Sequence, residues 1–205
     1  MSEALSRHSP LASVYQIGRF GLNMQPPGIT IQQLNGLSIT QIATFPANAE
    51  RTCQVIQELY GLAPAVQPCQ AVIQGTSRIL WNGPQCWWLV GPDNPALLQQ
   101  LRSELDADTA ITEHSHGRFV LRLAGSAIRD LLAKGSTVDF HADHFQAGWC
   151  RPLALDHFDV LLHCLDNLAT ADVYIARSLA VSFWEWLLDA SGEFGGEVLA
   201  IITQQ

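Results

Sequence analysis

ITIQQLNGLSITQIAT, residues 29–44, decides how the rest of the chain is read. Its apolar side chains Ile29 and Ile31, then Leu37, Ile39 and Ile42, fall in two short runs on either side of Asn35-Gly36. That dipeptide most readily supplies the positive φ angles of a two-residue hairpin turn, so the stretch is expected to be a β-hairpin. Further on, Asn48 can cap a helix carrying Val55, Ile56 and Leu59 on one face, and Gly61 can end it in the left-handed conformation. Pro64 and Pro68 mark a loop. Strands are expected around Ile73, from Ile79 to Trp81 and from Cys86 to Val90, with turns at Gly75-Thr76 and Asn82-Gly83-Pro84. Asp93 or Asn94 caps a second helix, Pro95 suits its first position, and Leu97, Leu98, Leu101 and Leu105 form its stripe.

The same grammar recurs. After a turn at Asp106 to Asp108, a strand from Gly117 to Leu123 leads through Gly125 into a helix with Ile128, Leu131 and Leu132. Lys134 sits in its last turn, where the helix dipole favours a cation, and Gly135 stops it. Strands around Arg151 to Leu155, Phe158 to Cys164 and Val173 to Arg177 precede a helix containing Phe183, Trp184, Leu187 and Leu188. Ser182 and Glu185 have the spacing of a capping box, and Ser178 offers an earlier start. No composition shift or flexible linker separates the halves. The expectation is an α+β fold, residues 28–205 forming one domain of two similar halves, about 28–106 and 107–205, around a shared core. Residues 1–27 read as an extended arm closed by Pro26-Pro27-Gly28, and such an arm needs a surface to lie on.

Composition narrows the function. Of 205 residues 48% are hydrophobic and 15% charged, against roughly 25% charged in an average domain, which excludes disorder as the main state. Eleven basic and nineteen acidic side chains leave a net charge of -8, and a nucleic-acid surface needs clustered Lys and Arg instead. Lys134 is the one lysine beside ten arginines, a bias that protein interfaces favour and GC-rich coding also produces. The cysteines Cys53, Cys69, Cys86, Cys150 and Cys164 are odd in number and form no C-x-x-C pair, as expected of reduced thiols in the cytoplasm. Glu3, Arg7, His8 and Pro10 stand where a signal peptide would need an apolar core, and no stretch approaches the ~18 apolar residues of a membrane helix.

Few residues carry chemistry. His141 and His144, three apart, with Asp143 or Cys150 as a further ligand, form the best metal candidate. Catalytic zinc needs three well-placed ligands, and this spacing lies in a loop between Phe140 and Phe145 where local pairing or partner contact accounts for it, so no metal site is assigned. Glu113, His114, Ser115, His116 and Arg118 bring an acid, a hydroxyl, imidazoles and a guanidinium together, but chain neighbours rarely converge as a nucleophilic triad. Gly117 and Arg118 are read as a turn and an ion pair, and no catalytic residue is assigned. Among the tryptophans, Trp81, Trp88 and Trp184 are read as core, and Trp87 and Trp186 as partner contacts. Gly192 to Gly196 follows a helix rather than linking a strand to one, so no nucleotide motif is present.

Several short motifs in a fixed order carry a family resemblance. They are Arg7-His-Ser-Pro-Leu11 in the arm, Trp81-Asn-Gly-Pro84 with Trp88-Leu89, Ser115-His-Gly-Arg118, Leu123-Ala-Gly125 with Leu132-Ala-Lys-Gly135, Asp139-Phe-His141, and Arg177-Ser178 with Ser182-Phe-Trp-Glu-Trp-Leu187. Together they resemble the gamma subunit of heterotetrameric sarcosine oxidase, whose fold is similar to the folate-binding domain of aminomethyltransferases. The resemblance implies a non-catalytic assembly subunit of an alpha-beta-gamma-delta flavoenzyme that oxidatively demethylates sarcosine to glycine. It also implies FAD, FMN, NAD, tetrahydrofolate and zinc in the partner subunits, with no cofactor in this chain.

The arm and the outward aromatics would then bury surface against alpha or beta, in interfaces of more than ~2,000 Å² when obligate. Arg7, Pro10, Leu11, Trp87 and Trp186 are the interface candidates, and deleting Met1 to Gln25 is expected to weaken assembly while leaving the globular part folded. Alternatives are the gamma subunit of a related N-methyl amino acid dehydrogenase, or a free-standing folate-binding aminomethyltransferase-like protein. The latter would call on Asp139 or Glu113 as its acid.

Overall fold

The computed structural model describes residues 8–65, 67–105, 107–141, 143–167 and 170–203. Along the chain run β1 (Gly18–Phe20), β2 (Ile29–Asn35), β3 (Ser38–Thr44), α1 (Ala49–Tyr60), β4 (Ala71–Gln74), β5 (Ser77–Gly83), β6 (Cys86–Gly91) and α2 (Pro95–Glu104). They are followed by β7 (Thr109–Glu113), β8 (Arg118–Ala124), α3 (Ile128–Gly135), β9 (Cys150–Leu155), β10 (Phe158–Cys164), β11 (Thr170–Ala176), α4 (Ala180–Ser191), β12 (Gly196–Val198) and β13 (Ile202–Thr203). One sheet has the order β1-β12-β2-β8-β11-β10-β9, with β13 also on β2, and the other the order β4-β5-β6-β3-β7. The fold is α+β, as expected.

The expected hairpin does not form. β2 pairs β8 and β12 in the larger sheet, whereas β3 pairs β6 and β7 in the smaller one. A type I′ turn needs positive φ at both central residues, and only Gly36 has it, at 81°. Gly36 therefore turns the chain from one sheet to the other. β7, which the sequence pattern passes over, returns the exchange: it completes the smaller sheet through Ile42↔Ile111. The sheets thus do not divide at residue 106, since β2 comes from before that point and β7 from after it.

Each sheet buries one face under helices and the other against its fellow. Ile42, Val55, Ile56, Leu89 and Leu101 pack α1 and α2 onto the smaller sheet. Leu121, Leu131, Val160, Phe183 and Leu187 pack α3 and α4 onto the larger one. Leu34, Ile39, Leu80, Trp88, Val90, Val120, Leu161 and Tyr174 fill the space between the sheets. The result is a helix–sheet–sheet–helix sandwich with three apolar layers.

Helix ends follow local chemistry only in part. Asn94 accepts from the Leu97 N–H at 3.1 Å and Pro95 opens α2, while Gly61 closes α1 at φ 68°. Asn48 sits at the cap of α1 but its side chain makes no capping bond, and α4 starts at Ala180 behind a short 3-10 turn, so Ser182 caps nothing. Gly135 is the last residue of α3; its constraint is space, because a Cβ there would stand 2.7 Å from Trp186 Cζ2.

The described part of the arm, residues 8–27, belongs to the fold. Leu11 is fully buried in the layer beneath α3 and α4. Tyr15 stacks on Trp184 with ring centroids 5.1 Å apart, and its hydroxyl donates to Leu199 O at 2.8 Å and accepts from Gln33 N at 3.0 Å. β1 then pairs β12, placing Gly18 opposite Val198. From residue 8 onward the surface that the arm lies on is its own domain, so removing residues 1–25 would take away contacts of the globular part.

Candidate functional site

The interface candidates separate once placed. Arg7 lies outside the described residues. Leu11 and Trp87 are corrected: Leu11 is 0% and Trp87 6% exposed, so both side chains are spent on this chain's own core and offer little to a partner. Pro10 is half-buried. Trp186 is half-buried too, with its ring 5.5 Å from that of Phe183 and 6.5 Å from that of Phe158. Trp88 and Trp184 are core as expected, and Trp81 is partly buried against two of the apolar layers.

The histidine loop holds its groups apart. His141 Nδ1 lies 3.4 Å from Asp143 Oδ2, and His144 Nε2 lies 3.7 Å from Asp139 Oδ2, all four side chains well exposed. Cys150 is buried elsewhere, its sulfur accepting from Trp81 N at 3.2 Å, and burial pushes its thiol up to about 12. Among the described residues no three His, Cys, Asp or Glu side chains gather as a metal set would.

The Glu113 to Arg118 segment is structural. Ser115 Oγ accepts from Ile39 N at 3.0 Å and lies 3.5 Å from Ser38 Oγ, tying the β7–β8 connection to the start of β3. Its buried hydroxyl is thus not offered to an imidazole. His114 packs beside Trp88 at 6.0 Å, and burial followed by the nearby Arg118 cation lowers its pKa. The ion pair expected of Arg118 is absent among the described residues. Its guanidinium lies instead over the Trp88 ring, 5.0 Å from the centroid, a cation–π contact.

Sequence reading missed a charged group buried between the sheets. On the inner face of the larger sheet, Asp172 Oδ2 accepts from Arg78 Nη1 at 2.6 Å and Arg122 Nη2 at 2.9 Å, and Oδ1 from Arg122 Nε at 2.8 Å. Asp172 is wholly buried and Arg78 nearly so. His163, opposite Asp172 in the β10–β11 register, has no hydrogen-bond partner at either ring nitrogen among the described residues, and neither has the Tyr174 hydroxyl. Burial holds His163 down at about 4, against a smaller upward pull from Asp172. The signal was present as charged residues inside β8 and β11, at positions that alternate with Leu121, Leu123, Val173 and Ile175.

Three of the surface concavities bear on these residues. One of 270 Å³ lies at the β2–β3 crossover, and one of 330 Å³ opens between the sheets at Trp88 and Asp159; Arg118 lines both. A third, apolar groove of 620 Å³ runs past Cys53, Pro64, Pro68, Trp81 and Trp87. Glu113 and Asp139, the acids that a tetrahydrofolate site would call on, line none of the three. These residues therefore do not fit that group, and no chemistry is derived through it.

This architecture has counterparts among solved structures. The fold is that of the aminomethyltransferase class: over 85% of this chain and 48% of the other it matches glycine cleavage system aminomethyltransferase T from Bartonella henselae, with a TM-score of 0.59 at 11% identity. A chain of the heterotetrameric sarcosine oxidase from Corynebacterium sp. U-96, solved with pyrrole 2-carboxylate, matches over 92% of this chain and 96% of its own, with a TM-score of 0.79 at 21% identity. In sequence, sarcosine oxidase subunit gamma from Corynebacterium sp. (strain U-96) is 30% identical over 141 residues, 68% of each chain. The model of the sarcosine oxidase gamma subunit family matches residues 43–193. This chain belongs to the sarcosine oxidase gamma subunit family.

Proposed function

We propose that this chain is the structural gamma subunit of a heterotetrameric flavoenzyme that oxidatively demethylates sarcosine to glycine, in the cytoplasm, and that it serves assembly rather than catalysis. Alpha, beta and delta chains are its partners, and FAD, FMN, NAD, tetrahydrofolate and zinc are held by them. The observation that carries the reading is the near end-to-end likeness to one chain of a heterotetrameric sarcosine oxidase, joined to family membership. The site geometry is consistent with it: Asp172, wholly buried, ties Arg78 and Arg122 together between the sheets, and the Ser115 hydroxyl accepts from Ile39 N, so both serve the scaffold. Among the described residues no helix is long and apolar enough to cross a membrane.

Native purification through a tag on this chain tests the proposal. Three further chains and the visible absorption of bound flavin are the expected outcome. A stable, colourless single species would overturn it.

A further inference from the structure

The 270 Å³ cavity at the β2–β3 crossover is walled by the arm at Ser9, by Gln33 and Asn35 at the end of β2, and by Ser115, Arg118 and Arg177. Among the described residues no carboxylate lines it, in a chain whose net charge is -8. Two guanidiniums do. Arg177 follows directly on β11: Ala176 lies opposite Arg118, and Arg177 N donates to Gly117 O at 2.9 Å. One of its side-chain N–H groups is spent on His8 O at 2.5 Å, which anchors the arm and leaves the rest of its fork for the cavity.

Arg118 is the unusual member. Its guanidinium makes no hydrogen bond or ion pair among the described residues, and its contact is with the face of Trp88. Asp159, in the adjoining cavity, acts on it only through the longer-range field, and burial outweighs that field and lowers the Arg118 pKa. Burial of half its surface without an anion among the described residues costs this cation part of its hydration, and the cavity it lines has room for one. A guanidinium fork matches a carboxylate, two of them line this one cavity, and a volume just under the usual ~300–1,000 Å³ of ligand pockets admits only a small ligand.

We infer that this cavity is a carboxylate-binding site, with Arg118 and Arg177 holding a single carboxylate between them beside the Ser115 hydroxyl. The carboxylate belongs either to a small free organic acid or to a side chain or chain end of a neighbouring subunit.

The test uses the full-length chain, purified with whatever chains accompany it, titrated with succinate by calorimetry and thermal melting. Sodium chloride and inorganic phosphate at matched ionic strength are the controls. If the carboxylate is free, succinate binds saturably and raises the melting midpoint. Arg118→Gln and Arg177→Gln each then weaken binding about tenfold or more, while Arg102→Gln on the exposed side of α2 leaves it unchanged. If it comes from a neighbour, succinate does not bind the intact complex, and the two Gln variants, folded by circular dichroism, retain less of that neighbour than Arg102→Gln does. Should the Gln variants not fold, Arg118→Lys and Arg177→Lys keep the charge, lose the fork and give the same two readouts. Succinate binding no better than phosphate or chloride, together with undiminished retention of every accompanying chain in the variants, overturns the inference.

Discussion

Asp172 accepts three hydrogen bonds from two arginines inside the sandwich, and its removal would strand both guanidiniums without a counter-charge. Breaking a buried ion group by deleting one partner costs about 3–5 kcal/mol, so Asp172→Asn is expected to lower the denaturant-unfolding free energy by that much. An unchanged midpoint would mean that water replaces the carboxylate. His163 beside it is buried neutral, held at about 4, whereas an unfolded histidine titrates near 6.5. Between those values the unfolded chain binds more protons, so the contribution of His163 is fully present above about pH 6.5 and is lost as pH falls towards 4. The gap corresponds to about 3 kcal/mol, and comparing wild type with His163→Leu by urea titration at pH 7 and pH 4.5 should show the larger pH-dependent loss in wild type, the difference reporting His163. Neither effect is legible from one-dimensional pattern. Periodicity marks Asp172 and His163 as facing away from the helices, yet on most antiparallel sheets that face meets water.

At the level of elements, what local chemistry controls came through, and what pairing controls did not. The Gly61 stop, the Asn94 cap and the turn at Gly75 depend on a few adjacent residues, and each stands where its residues placed it. The hairpin at Asn35-Gly36 failed because a strand's partners are chosen by the whole sheet: β2 already has β8 on one side and β12 on the other. β7 went unseen because Thr109–Glu113 is a sheet-edge strand with no buried residue to set a period. Gly135 shows the same division on a smaller scale. Ala is the better helix former by about 1 kcal/mol, yet a Cβ at this position meets Trp186 of α4 and the Asp156 backbone. Gly135→Ala is therefore expected to destabilise by about 1–3 kcal/mol through overpacking, and thermal melting should show relief of that loss when Trp186→Leu is added. A gain in stability from Gly135→Ala alone would mean that Trp186 swings aside freely.

Taken whole, the molecule is one body in which Leu11, Tyr15 and Phe20 of the arm finish the core. Removing residues 1–25 takes away Leu11, the Tyr15 bonds to Leu199 and Gln33, and the β1 edge that covers β12. The truncated chain is expected to lose cooperative thermal unfolding, as near-ultraviolet circular dichroism would report, before any effect on assembly can be measured. A sharp native-like transition in it would restore the arm to the role of a detachable clasp. The apolar composition and sparse charge that pointed to a buried assembly role are in part consumed here, in three apolar layers within one chain.

By itself the sequence determined the α+β class, the four helices, most strands and, through its ordered motifs, the family to which the chain belongs. These depend on residue periodicity, on caps and turns a few residues long, and on short strings that survive intact in a linear reading. Only the tertiary structure decided that β2 and β7 exchange sheets, that Leu11 and Trp87 serve this chain's own core, and that Arg78, Arg122 and Asp172 meet between the sheets. It also decided that Arg118 and Arg177 line one cavity that has no acid among the described residues. Each of these joins residues far apart in the chain, and which distant face a side chain meets is settled by sheet order and layer packing, which no local pattern encodes.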